Sequence, residues 1–229
     1  MDKTNLTAGG RACTLYSCDK PEYLLIQPAD DHDIEVLDNE VWHIETLTDA
    51  AFSLAVFKVK HWNNDLSPWV APPVFGNEPF GGGAPDTLTF IERELIPSVG
   101  VGEDVPVIIG GYSLAGLFAL WAAYTSNRFA GVAGVSPSVW FSDWLNFVSE
   151  RTPAARCIYL SLGKKEEKTR NKLMASVGEN IRRQYELLQT AGVPSVLEWN
   201  EGNHFTEPDI RTAKGFSACM EMLRKGGAK

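Results

Sequence analysis

Gly110-Gly111-Tyr112-Ser113-Leu114-Ala115-Gly116 joins a continuous apolar run, Val105 to Ile109, to an apolar helical stretch, Leu114 to Tyr124. A nucleophilic serine in a strained strand-to-helix turn needs small neighbours, because strand and helix pack tightly around it. Gly111, two residues before Ser113, and Ala115, two after, supply that room in a G-x-S-x-A pattern. The following helix points its N-terminal N–H groups and the positive end of its dipole at the serine, where an oxyanion would form. Ser113 is thus a candidate nucleophile; the alternative is a plain strand–turn–helix junction with small packing residues.

Such a serine needs a base, and the histidines are His32, His43, His61 and His204. His32 sits in Asp30-Asp31-His32-Asp33 and reads as a solvated helix start, while His43 falls within a helical pattern. His61 follows a strand and could border a site. His204, in Glu201-Gly202-Asn203-His204-Phe205, stands between the last strand and the last helix, which places an imidazole at the carboxyl edge of the sheet. That is where a general base belongs. The base in turn needs a carboxylate to orient the ring and stabilise its cation. Strand Cys157 to Leu162 runs into Gly163-Lys164-Lys165-Glu166-Glu167-Lys168, so Glu166 and Glu167 both leave that edge, with Asp143 a weaker alternative. Either glutamate could instead be part of a solvated charged turn.

Elements that would position these residues alternate along the chain. Strands are expected at Leu24 to Ile26 (ended by Gln27-Pro28), Phe52 to Val59, Val105 to Ile109, Gly131 to Val135, Cys157 to Leu162 and Val196 to Trp199. Helices are expected where Ile34, Leu37, Val41 and Ile44 share a face, and around Leu88, Ile91 and Leu95 up to Pro97. Others cover Leu114 to Tyr124, Phe141 to Val148, and Ile181 to Leu188; the last starts near Pro208 with Thr206 as cap and reaches Leu223. The alternation predicts an α/β fold with a mostly parallel sheet and helices on both faces. In such sheets ligands bind beyond the carboxyl ends of the strands. One domain is expected over residues 1–229, with 1–20 as a peripheral or poorly ordered segment. Lys60 to Pro85 is a long Pro/Gly-rich segment carrying Trp62, Trp69, Phe75 and Phe80. Loops of that length are uncommon unless functional. With Trp140 and Trp144 these aromatics either shape a substrate site or pin the loop to the body. The gap between Val135 and Cys157 is too short for a separate lid domain.

Taken together, Gly111 to Gly116, Ser136-Pro137-Ser138-Val139-Trp140, Leu162-Gly163-Lys164-Lys165-Glu166 and Gly202-Asn203-His204 resemble compact esterases of the α/β-hydrolase fold, the group that includes enterochelin esterase-like and esterase D-like enzymes. The resemblance spans about Tyr23 to Leu223. It implies an α/β-hydrolase fold and a serine esterase in which Ser113, Glu166 and His204 follow the nucleophile–acid–base chain order of that fold. It also implies Glu166 over Glu167, since the acid in such proteins often stands three residues after a glycine that closes its strand. Two departures are Ala115 where glycine is common and a glutamate where aspartate is commoner. The oxyanion donors expected are the N–H of Leu114 and one from the loop after Phe52 to Val59, near Trp62. No metal or organic cofactor is implied. The resemblance gives a reaction type rather than a substrate: a small-molecule ester, with a serine acyltransferase or thioesterase sharing every catalytic residue, and a non-catalytic binding module as the remaining alternative.

Composition narrows the classes. The 229 residues carry 21 basic and 29 acidic side chains, a net charge of −8, which disfavours nucleic acid and anionic membranes as partners. The cysteines are too few for a disulfide framework, and Cys13-x4-Cys18 lacks a second pair for zinc. No signal peptide or apolar stretch of membrane-spanning length is read, so a cytoplasmic location is expected.

Overall fold

The computed structural model describes residues 1–227. In chain order the elements are β1 (Asp2–Ala8), β2 (Arg11–Ser17), β3 (Tyr23–Ala29), α1 (Asp31–Leu47), β4 (Phe52–Lys58), α2 (Trp62–Asp65), β5 (Val70–Ala71) and β6 (Phe80–Gly81). Then come α3 (Ala84–Phe90), α4 (Ile96–Val99), β7 (Val107–Tyr112), α5 (Leu114–Thr125), β8 (Phe129–Val135) and α6 (Trp144–Ser149). The chain ends with β9 (Cys157–Gly163), α7 (Lys172–Ala175), α8 (Val177–Thr190), β10 (Ser195–Asn200) and α9 (Pro208–Gly226). The main sheet has the order β1-β2-β4-β3-β7-β8-β9-β10. From β4 to β10 all neighbours are parallel; the β1–β2 and β2–β4 pairs are antiparallel.

Both faces of the sheet are covered, and the strands show it residue by residue. On β7, Val107 and Ile109 face one core while Ile108 faces the other; on β4, Ala55 and Phe57 oppose Leu54 and Val56. One core is completed by α5, α6 and α8 through Leu117, Trp144 and Ile181, the other by α1 and α9 through Leu37, Ile44 and Phe216. Helix α5 is buried from Leu114 to Ala123, as an all-round apolar helix must be.

Several local expectations are corrected. Strand β3 runs through Pro28 to Ala29. Neighbour β7 pairs only with Leu24 to Ile26, so Pro28 lies past that ladder, where its missing donor does no harm. The helix before β7 does not stop at Pro97. A π-helical turn, Ile91–Leu95, separates α3 from α4 and leaves Pro97 in the first turn of α4, where an absent N–H is tolerated. Helix α6 starts at Trp144 because Asp143 is in the left-handed region, φ 60°. Glu207, also left-handed at φ 51°, caps α9 in place of Thr206. The Thr206 hydroxyl instead bonds to Asn203. Residues 1–20 lie at the periphery, where β1 and β2 pair at the sheet edge and β2 zips to β4 from Cys13 to Tyr16. The segment Lys60 to Pro85 folds into α2 and a small β5–β6 ladder.

Candidate active site

Ser113 sits between β7 and α5 with φ 59° and ψ −119°, a conformation that non-glycine residues rarely adopt. Two contacts hold the turn: the Ser113 N–H donates to the Val135 carbonyl at 3.0 Å, and Ser138 N–H donates to the Ser113 carbonyl at 3.1 Å. A side chain at Gly111 would place its Cβ 2.7 Å from that of Ala115, and one at Gly116 would lie 2.8 Å from the Gly111 carbonyl. Alanine at 115 is thus accommodated by the bare glycine facing it. Leu114 opens α5 and Trp62 opens α2. As first-turn residues, neither has an intrahelical acceptor for its N–H.

His204 rides on the turn between β10 and α9. The Asn203 side chain accepts from the Phe205 N–H at 2.9 Å and from the Thr206 hydroxyl at 3.2 Å. Gly202 turns the chain at φ 92°, where a Cβ would lie 2.3 Å from the Thr206 hydroxyl oxygen. This places His204 Nε2 3.0 Å from Ser113 Oγ and Nδ1 2.7 Å from Glu166 Oε2. The three side chains form one hydrogen-bonded series, from a half-buried hydroxyl to a buried carboxylate.

The second oxygen of Glu166 is equally engaged. Oε1 accepts from the Gly163 N–H at 2.7 Å, from the Ser136 hydroxyl at 2.8 Å and from Arg211 Nη1 at 3.3 Å. Glu167 points elsewhere and forms an ion pair with Arg182 of α8 at 3.0 Å. Asp143 is exposed and bonds to Ser142 and Asn146. The other histidines are apart from this series: His32 faces Glu35, His43 meets the Trp42 ring edge-on, and His61 is exposed at the start of α2.

Sequence reasoning missed Ser138, whose hydroxyl lies 3.4 Å from Ser113 Oγ, and the role of Ser136 at φ 41°. It also missed Tyr112 and Arg211. The Tyr112 hydroxyl donates to the His204 carbonyl at 2.8 Å; burial, with the nearby Glu166 charge, pushes its pKa up to about 12. It therefore stays a donor across the working pH range.

Most of the aromatics expected around the site are anchors. Trp144 is buried and donates to Gln184; Trp69 donates to the Ser142 carbonyl and packs on Phe141 and Phe147. Phe80 and Trp140 are buried against each other, whereas Phe75, in contact with both, is half exposed. Among the described residues no group of His, Cys, Asp and Glu is arranged to hold a metal ion, and no helix is long and apolar enough to cross a membrane.

No protein-family model and no curated sequence matches the chain. Solved structures do. An IroE-like serine hydrolase from Shewanella oneidensis superposes with a TM-score of 0.78 at 14% identity, over 95% of this chain and 79% of that one. The siderophore hydrolase EstB from Aspergillus nidulans gives 0.71 at 17% identity, over 95% and 93% of the two chains. The enterobactin esterase FES from Shigella flexneri gives 0.68 at 17% identity, over 97% of this chain and 59% of that one. The fold is that of the α/β-hydrolases. Ser113 lies at the turn that follows β7, a central parallel strand of the sheet.

Proposed function

We propose that the chain is a serine hydrolase that cleaves a carboxylic ester through an acyl-enzyme. Ser113 is the nucleophile, His204 the general base and Glu166 the acid that orients and stabilises the imidazolium. The observation that carries this reading is the unbroken series Ser113 Oγ–His204 Nε2 at 3.0 Å and His204 Nδ1–Glu166 Oε2 at 2.7 Å, on a serine in the strained elbow conformation. With the Nδ1 proton donated to Glu166, Nε2 is free to accept the serine proton as Oγ attacks the acyl carbon. The N–H groups of Leu114 and Trp62 serve as oxyanion donors. The alkoxide leaves with the proton returned by His204, and water, deprotonated by the same ring, releases the acid. The neighbouring structures named as esterases and a serine hydrolase support an ester as the bond cleaved.

The test is a fluorophosphonate probe with mass mapping of the adduct, alongside hydrolysis of a panel of acyl esters and thioesters. The label is expected on Ser113, and Ser113→Ala should lose about 10⁴-fold or more in kcat. A folded Ser113→Ala variant with near-normal hydrolysis would overturn the reading.

A further inference from the structure

Arg211 is 2% exposed, yet nothing in the proposed reaction calls for a buried cation behind the acid. A guanidinium is costly to desolvate unless its donors are matched, and here the matches all lead to the candidate site. Nη1 donates to Glu166 Oε1 at 3.3 Å and to the Tyr112 oxygen at 3.1 Å; Nη2 donates to the Glu201 carbonyl at 2.5 Å. Tyr112 passes the connection on by donating to the His204 carbonyl at 2.8 Å. The one guanidinium thus touches the acid, the phenol that holds the backbone of His204, and the residue at which the His204 turn begins.

We propose that Arg211 is a positioning residue that, with Tyr112, locks the His204 turn in register with the Glu166 carboxylate. The inference rests on the serine-hydrolase reading and adds to it how the base and acid, on separate loops, are kept at hydrogen-bond distance. The planar fork of arginine suits this, since its donors diverge in fixed directions while lysine offers a single point charge.

A local consequence distinguishes positioning from mere support of the fold. The His204 Nδ1–Glu166 Oε2 bond, 2.7 Å long, joins two loops that Arg211 and Tyr112 tie together. Removing the guanidinium should loosen that bond and cost turnover, because register is lost, while the fold and substrate binding persist.

The experiment compares wild type, Arg211→Met, Arg211→Lys and Tyr112→Phe, each checked by circular dichroism. Rates are read as kcat and KM, and the His204 Nδ1 proton is followed as a downfield ¹H resonance identified by its loss in His204→Gln. Arg211→Met is expected to lower kcat about 10- to 100-fold with little change in KM and to weaken or broaden the resonance. Arg211→Lys should recover part of the rate and of the resonance. Tyr112→Phe, which removes only the hydroxyl, should lower kcat about 3- to 10-fold and broaden the resonance less. Unchanged rate and resonance in folded Arg211→Met would overturn the proposal, as would a lower rate with a sharp, unmoved resonance. If Arg211→Met does not fold, Arg211→Lys and Tyr112→Phe decide, and wild-type behaviour in both would overturn it. If wild type shows no Ser113-dependent hydrolysis, the esterase reading fails by itself. The resonance still decides whether Arg211 and Tyr112 hold the His204–Glu166 pair.

Discussion

Gly163 donates its N–H to Glu166 Oε1 at 2.7 Å, and a Cβ at position 163 would lie 2.9 Å from the same oxygen. The glycine that ends β9 therefore gives Glu166 both a donor and the room to reach it. The same Cβ would lie 2.9 Å from the Gly202 carbonyl, so Gly163→Ala should displace both the carboxylate and the His204 turn and disturb the 2.7 Å bond between them. The expected result is a kcat lower by about 10- to 100-fold at nearly constant KM, because the loss falls on positioning and not on substrate binding. Steady-state kinetics on the folded variant check this, and wild-type kcat would mean that the loop absorbs the methyl group.

The neighbouring acids should separate cleanly. Glu166→Gln keeps the shape but removes the charge facing His204, and is expected to cost on the order of 10² to 10⁴ in kcat. Glu167→Gln breaks a half-exposed ion pair with Arg182 and should stay within about threefold. Because Glu166→Gln also leaves Arg211 without its carboxylate, thermal unfolding should be measured beside the rates. A crippled Glu167→Gln with an active Glu166→Gln would reverse the assignment.

A pH dependence of stability is built in far from the serine. Glu40 of α1 is buried against β3, and its carboxylate accepts from Gln27 Nε2 at 3.2 Å. Burial holds its carboxyl well above the ordinary range, and Asp33 nearby is raised to about 6, chiefly by burial and next by Asp30. Both folded values exceed the unfolded ones, so the folded state binds these protons more tightly. Their contribution is full below the unfolded values near ~4 and is lost as pH rises through the folded values. Glu40→Gln removes the Glu40 share of that loss, and its amide can donate to Gln27 Oε1, which has no partner among the described residues. The variant should melt a few degrees above wild type at pH 8, about 3 °C for each kcal/mol recovered. Near pH 4 the two should converge. Equal melting temperatures at both pH values would show that Glu40 is not a burden when charged.

How much of this was legible in the sequence depends on the distance over which each residue acts. Strand and helix alternation exposes the sheet because periodicity is local, and Ser113 and His204 stand out because small-residue turns and histidines are few. Glu166 and Glu167 look alike in a one-dimensional reading; their difference lies in the Gly163 N–H and the Arg182 side chain, one on each side of the turn. Arg211 and Tyr112 carried no signal, since they meet across 99 residues and are ordinary types at ordinary positions. Pro97 misled for a related reason. Proline is read as a helix stop, and only the π turn before it lets the helical path continue.

Phe205 is 87% exposed, and its ring meets that of His204 edge-on at 5.5 Å between centroids. The Asn203 side chain, accepting from the Phe205 N–H, fixes the turn that holds this apolar ring in water. An apolar group left uncovered beside the proposed base can gain from burial only when something docks on it, and in the proposed mechanism the leaving group takes its proton from His204 and so departs next to that ring. Phe205→Ala should therefore raise KM about 5- to 30-fold for esters with aryl or long-chain leaving groups, a loss of about 1–2 kcal/mol of contact. It should leave kcat within a few-fold and methyl esters almost unaffected. The check is kcat and KM on matched esters that share one acyl group and differ only in the alcohol. A uniform loss across the series would place the ring's effect on the His204 turn and end its assignment to the leaving group.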